Sequence, residues 1–331
     1  MDIGLLIFIL AVMLSYAYAF TGGFTDAANA IATSVATRAL SPAAAVLMAG
    51  LLEIAGAMAG TAVALTIGKG IVSLELLSLT TVLAALLGVM TWSMITYYFG
   101  IPVSETHGLL GGIIGAATAA AGFKVILWNG VGKVLLAILI SPLLGFLGGV
   151  LLMGIINRLF HLKNARKMNR LFKNLQRLSS AFMAFSHGLN DAQKPMGILV
   201  MILAIHYGWK DPTVPFWVII TVGLTASLGV AYGGWRIIKT MGMKIAPLST
   251  EQGFAAETAA AGVLQLASFI GIPVSTTHTI TSSIVGAGVA RRFSSVNWGI
   301  AAEIALSWVL TLPATICLAW FYSKIISLIV E

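Results

Sequence analysis

Long apolar stretches dominate the chain, over roughly 3–20, 43–67, 74–99, 130–160, 179–206, 214–234, 255–271 and 297–330, each bounded by glycine, proline or charge. Most are long enough to cross a bilayer, which takes about 20 apolar residues. Shorter segments broken by polar residues lie between or within them, at 22–40, 101–122, 186–198 and 272–290. Lipid tolerates such segments only where protein or a watery cavity covers their backbone, so they are expected to be broken or re-entrant helices. Met1 to Phe20 ends in Ala17-Tyr18-Ala19, which looks like a leader cleavage site. It lacks a basic start and is read as an uncleaved first span.

Composition sharpens this pattern. The 331 residues are 59% apolar and 9% charged, with a mean hydropathy of +0.98, whereas soluble domains carry about 25% charged residues. The expected fold is all-α, a polytopic membrane protein of about ten to twelve transmembrane segments. The net charge of +8 is too diluted in hydrocarbon to form a nucleic-acid groove. Most of it lies in one interval, where Arg158, Lys163, Arg166, Lys167, Arg170, Lys173 and Arg177 occur without an acid. Such a loop marks the cytoplasmic side, and apolar residues recurring every three or four positions over Leu162–Leu178 suggest an amphipathic helix on the inner membrane surface. Cys317 is the only cysteine, which excludes an intrachain disulfide and a thiolate metal cluster.

The basic interval separates two copies of one pattern. Ile101-Pro-Val-Ser-Glu-Thr-His107 recurs 171 residues later as Ile272-Pro-Val-Ser-Thr-Thr-His278, and Gly23-Phe-Thr-Asp26-Ala27 recurs 165 residues later as Gly188-Leu-Asn-Asp191-Ala192. Two motifs in one order at matched offsets indicate duplicated halves, a first repeat over 1–157 and a second over 179–331, joined by the linker 158–178. Interrupted segments in corresponding places of two halves point to a transport site at the repeat interface.

Carboxylates in apolar surroundings need compensation by a cation, a proton or a basic partner. Asp26 and Asp191, present in both halves, are the first candidates, with Thr25, Asn29, Asn190 and Gln193 as neighbouring oxygen donors of the kind hard cations prefer. Glu53 and Glu257 are single, and each is read as a buried hydrogen-bonded carboxylate, a proton site or a sodium ligand. Lys194 either neutralises Asp191 or approaches an anion, or it is a snorkelling or purely structural lysine. Each Pro-Val-Ser-x-Thr-His element should open a half-helix, with proline at its start and serine as its cap. A helix beginning inside the membrane aims free N–H groups and a positive dipole end at its site, a seat for an oxyanion. Ser104, Thr106, Ser275 and Thr277 would either donate to that anion or merely cap the helices. His107 and His278 are neutral imidazoles by default, with proton coupling as the alternative. Serine and histidine three apart at a helix start leave no oriented triad, so a hydrolase is disfavoured, and no cofactor is expected.

These residues resemble the inorganic phosphate transporter (PiT) family of cation-coupled permeases. The resemblance rests on Gly23 to Leu40, on Ser186-His-Gly-Leu-Asn-Asp-Ala-Gln-Lys194, on both Pro-Val-Ser-x-Thr-His elements and on Gly234-Trp-Arg-Ile-Ile-Lys-Thr-Met-Gly242. It implies two inverted repeats, assembly as a homodimer, location in the cell membrane, and uptake of phosphate with sodium or protons. It further implies cation and phosphate roles for Asp26, Asn29, Asn190 and Asp191, and phosphate contact through Ser104, Thr106, Ser275 and Thr277. Two positions depart from the pattern: Thr25 stands where the family often has asparagine, and Glu105 matches Thr276 of the second copy. The resulting expectation is sodium-coupled phosphate import by alternating access. Thr25, Ser104, Thr106, Asn190, Ser275, Thr276 and Thr277 contact phosphate in this reading, and Asp26, Asn29, Glu105 and Asp191 hold sodium as co-substrate. Glu53, Glu257, His107 and His278 are coupling candidates. A proton-coupled phosphate or metal-phosphate symporter and a related sulfate permease are the alternatives.

Overall fold

The computed structural model describes residues 2–160 and 165–330. Among them it is helical apart from short 3-10 turns, a π turn and one isolated bridge between Val72 and Ile126. The helices are α1 (Ile3–Ala36), α2 (Pro42–Ala57), α3 (Ala62–Gly70), α4 (Leu79–Phe99), α5 (Glu105–Ala121), α6 (Trp128–Phe160), α7 (Ala165–Asp191), α8 (Gln193–Tyr207), α9 (Phe216–Tyr232), α10 (Trp235–Lys239), α11 (Thr250–Phe269), α12 (Thr276–Arg291) and α13 (Trp298–Val330).

Local sequence explains their ends. Ser41 caps α2 and Pro42 occupies its first turn, where the missing N–H costs nothing. Ser249 and Gln252 form a reciprocal capping box at α11. Gly100 stops α4 with φ +69° and Gly271 follows α11 with φ +71°, a left-handed turn that glycine adopts without strain. Both turns lead into Ile-Pro-Val-Ser, so the two half-helices α5 and α12 start in equivalent ways.

The surface is inverted relative to a soluble protein. Leu139, Val309, Phe269 and Leu266 are each at least 71% exposed, while Asp26, Glu53, Glu105, Lys194 and Glu257 are buried. By length and composition α1, α4, α6 and α13 are each able to cross a membrane. The bent pairs α2 with α3, at 67°, and α9 with α10 and its π turn, at 59°, raise the count to six. This is fewer than the ten to twelve segments expected. The difference arises because α5, α8, α11 and α12 are short or carry small and polar residues that face other helices instead of lipid.

One expected break is absent, and one expected surface helix is part of a longer one. Segment 22–40 does not start a separate element, because α1 continues without interruption from Ile3 to Ala36. The amphipathic segment is not a separate surface helix either: its described part is the start of α7, which runs on to Asp191. Phe172 on that helix is 1% exposed, packs edge-on against Phe160 and meets the Phe254 ring at a tilt, so the apolar stripe is covered partly by protein. Arg177 donates from Nε to the Ala39 carbonyl at 2.9 Å. Leu162 and Lys163 lie outside the described residues.

The two halves interlock. The succession α4, α5, a 3-10 turn and α6 returns as α11, α12, a 3-10 turn and α13. Helix α5 packs against α13 and α12 packs against α6, so the last helix of each half embraces the half-helix of the other. Glycine permits this approach. A Cβ at Gly115 would sit 2.2 Å from the Ile316 carbonyl oxygen, and one at Gly286 would sit 2.2 Å from that of Phe146. Because backbone atoms cannot yield as a flexible side chain can, Gly286→Val is expected to cost about 1–3 kcal/mol or more. The measurement is the melting temperature in detergent, and an unchanged value would show that α6 and α12 can part without penalty.

Candidate functional site

The two half-helix starts share one geometry and face one candidate site. Ser104 Oγ accepts from His107 N and Ser275 Oγ from His278 N, both at 3.2 Å. Each serine is therefore a helix cap, and each retains its own O–H for a ligand. Thr106 Oγ1 donates to the Val274 carbonyl at 2.8 Å, tying the start of α5 to the strand-like lead into α12. Thr276 donates to Asp191 Oδ2 at 2.7 Å, and Thr277 lies 3.5 Å from Asp26 Oδ1. Asn29 Nδ2 reaches Thr277 Oγ1 at 3.0 Å and Thr276 Oγ1 at 3.3 Å. Residues from the far half of α1, from α5, from the end of α7 and from α12 thus converge on one buried cluster.

The repeated aspartates have different surroundings. Asp191 is saturated. Its Oδ1 accepts from Lys194 Nζ at 2.7 Å and, with the Asn190 amide turned to satisfy its neighbours, from Asn190 at 3.1 Å. Its Oδ2 accepts from Thr276 and lies 3.1 Å from His187 Nε2, close enough for ion pairing but off the axis of a hydrogen bond. Asn190 in that orientation also donates to the Val274 carbonyl at 3.2 Å and accepts from Ser268 at 3.0 Å. Asp26, in contrast, has one oxygen, Oδ2, buried without a partner, and so do Asn29 Oδ1 and Glu105 Oε2. Glu105 Oε1 accepts from Ser93 at 2.8 Å and Thr25 at 3.2 Å.

His187 links the cluster to Glu53, with Nδ1 2.7 Å from Glu53 Oε2. Its other ring nitrogen, Nε2, is buried without a hydrogen-bond partner. Asp26, His187 and Asp191 each bring one ligand atom to within 4.8 Å of the others. Such carboxylate-rich groups suit hard cations. Asp26, Glu53, Glu105, His187, Asp191 and Lys194 all line a cavity of about 20 Å³, together with Tyr18 and Gly23. That volume holds about one water, so admission of a larger anion requires the surrounding helices to move apart.

Of the coupling candidates, Glu53 joins this cluster. Glu257 does not share a hydrogen bond with it among the described residues; it accepts instead from Thr33, Ser179 and Gln176 at the junction of α1, α7 and α11. His107 and His278 meet each other, ring centroids 4.5 Å apart, and His278 stacks on Trp308 at 3.8 Å. His187 is more central than its sequence context suggested, since only folding brings α2 beside α7. Ser93 and Ser268 were not singled out in the sequence, where no local motif marks them, and Tyr18 stood out only beside a possible cleavage site.

A model of the phosphate transporter family matches residues 22–319. A protein of Bacillus subtilis (strain 168) described as "Probable low-affinity inorganic phosphate transporter" is 43% identical over 318 residues, covering 95% of each chain. One of the same description from Rhizobium meliloti (strain 1021) is 46% identical over 297 residues, 89% of each. The solved structure of a sodium-dependent phosphate transporter is similar with a TM-score of 0.91 and 28% identity, over 98% of this chain and 99% of that one. With motifs, fold and nearly the whole length in agreement, the chain belongs to the phosphate transporter family, whose members are transporters and not enzymes.

Proposed function

We propose that the protein imports inorganic phosphate together with sodium by alternating access, holding the anion between the starts of α5 and α12. The observation that carries this reading is the meeting of two half-helix ends, one from each half, beside buried carboxylate and amide oxygens that have no partner, on Asp26, Asn29 and Glu105. The helix ends supply N–H groups and a positive field for the anion. Ser104 and Ser275 add O–H donors, and Thr25, Thr106, Asn190, Thr276 and Thr277 reach phosphate by exchanging their present partners for it. The open oxygens suit sodium, and a cation offsets the cost of carrying phosphate through low dielectric.

The two halves act as inverted repeats around this site, with the linker 158–178 on the cytoplasmic side of the cell membrane. Some of the shorter helices then complete a count of ten to twelve segments, and the working unit is a homodimer. The structural neighbour's description as sodium-dependent supports sodium. Proton coupling is the second reading, favoured by one observation, the wedging of His187 between Glu53 and Asp191.

Purified protein in liposomes is expected to accumulate labelled phosphate under an inward sodium gradient with no pH difference. Uptake that follows only a pH gradient would replace sodium by protons. Sulfate competing as well as phosphate would replace the substrate.

A further inference from the structure

The 165-residue register that aligns Asp26 with Asp191 also aligns Asn29 with Lys194. The first half therefore presents aspartate and, three residues on, a neutral amide oxygen, whereas the second presents aspartate and an ammonium. The surroundings match this difference. The partnerless buried oxygens of the cluster, on Asp26, Asn29 and Glu105, all belong to the first half. On the second half Asp191 has donors at both oxygens, with Lys194 Nζ at 2.7 Å. Lys194 is itself 1% exposed. A hard cation needs several oxygens free to turn toward it, and Asp191 has none to spare while the ammonium is there.

We infer that Lys194 is a built-in cation. Its ammonium takes the place that a mobile coupling ion would occupy on the Asp191 side, so transported cations bind only on the Asp26 side. The site compensates phosphate charge partly with a fixed charge that returns with the protein after every cycle. Each cation that moves with phosphate multiplies the attainable accumulation by its own gradient, so a fixed charge lowers the concentrating power by one such factor. The inference rests on the reading of this cluster as the cation-coupled phosphate site.

The test is the cation-to-phosphate ratio, obtained in liposomes from the reversal of labelled phosphate flux against opposing cation gradients. Lys194→Asn restores in the second half the aspartate-amide pair of the first. It is expected to raise the ratio by one and to make the dependence on sodium steeper, while Lys194→Arg keeps the wild-type ratio. An unchanged ratio in Lys194→Asn overturns the inference. Where that variant is folded but does not transport, equilibrium binding of labelled sodium decides: one additional ion per protomer upholds the inference, and an equal count overturns it. Where it is not stable enough to purify, Asp191→Asn combined with Lys194→Asn removes both charges. This double variant should bind as many sodium ions as wild type, and a lower count would show that Asp191 had held a mobile ion. If protons prove to drive uptake, the sodium reading fails on its own, and the same comparison of ratios against pH gradients still judges Lys194.

Discussion

Asp26→Asn is expected to abolish gradient-driven phosphate accumulation and to leave the protein at least as stable as wild type. Oδ2 of Asp26 has no partner and Oδ1 has only the 3.5 Å contact with Thr277, so the isosteric amide gives up little in the resting structure. It removes a buried carboxylate whose charge is compensated by nothing within hydrogen-bond reach among the described residues. What the variant loses is attraction for the coupling cation. A unit charge at 4 Å and an effective dielectric near 20 is worth about 4 kcal/mol, on the order of a thousandfold in cation affinity. Transport in liposomes and melting in detergent measure the two halves of the expectation. Retained accumulation, or a large fall in melting temperature, would move Asp26 out of the cation site and into the structural framework.

Asp191→Asn is expected to destabilise the protein, unlike Asp26→Asn, although the sequence motif is shared. Removing this carboxylate strands the Lys194 ammonium and takes one of two acidic neighbours from His187. Breaking one partner of a buried ion pair costs about 3–5 kcal/mol, because the other charge remains buried. The melting temperature should fall by many degrees, and adding Lys194→Asn should recover most of the loss. A double-mutant cycle on these two positions measures that recovery as a coupling energy. Additive losses would mean that the 2.7 Å contact carries no weight in folding.

The contrast between the twin aspartates shows what the sequence could and could not convey. Both lay in repeated motifs with few other charges nearby, and both were legible as candidates because a carboxylate in apolar surroundings needs a partner. Their partners were less legible. Lys194 was three residues from Asp191 on an interrupted helix, so either neutralising or structural roles fitted its spacing. The partner of His187 was not legible, because its contact with Glu53 joins residues 134 apart. The half-helices were legible from Gly, Pro and Ser, whose backbone preferences are local. The continuity of α1 was not, because polar residues at Thr25, Asp26 and Asn29 resemble a break until neighbouring helices are seen to cover them. The covering of Phe172 by Phe160 and Phe254 was hidden for the same reason: an amphipathic period reports that a face is apolar, and only packing reports whether lipid or protein meets it.

The exchange of half-helices between the two halves also sets a schedule for biosynthesis. Helix α5 is made long before α13, the helix that will cover it, and about 180 residues separate the end of one from the start of the other. At ribosomal speeds of about 5–20 residues per second, α5 waits roughly 10–40 s for its partner. During that interval the capped start of α5 and the buried Glu105 have no final surroundings, so the nascent first half must be sheltered by the insertion machinery or held near the aqueous interface until the last helix arrives.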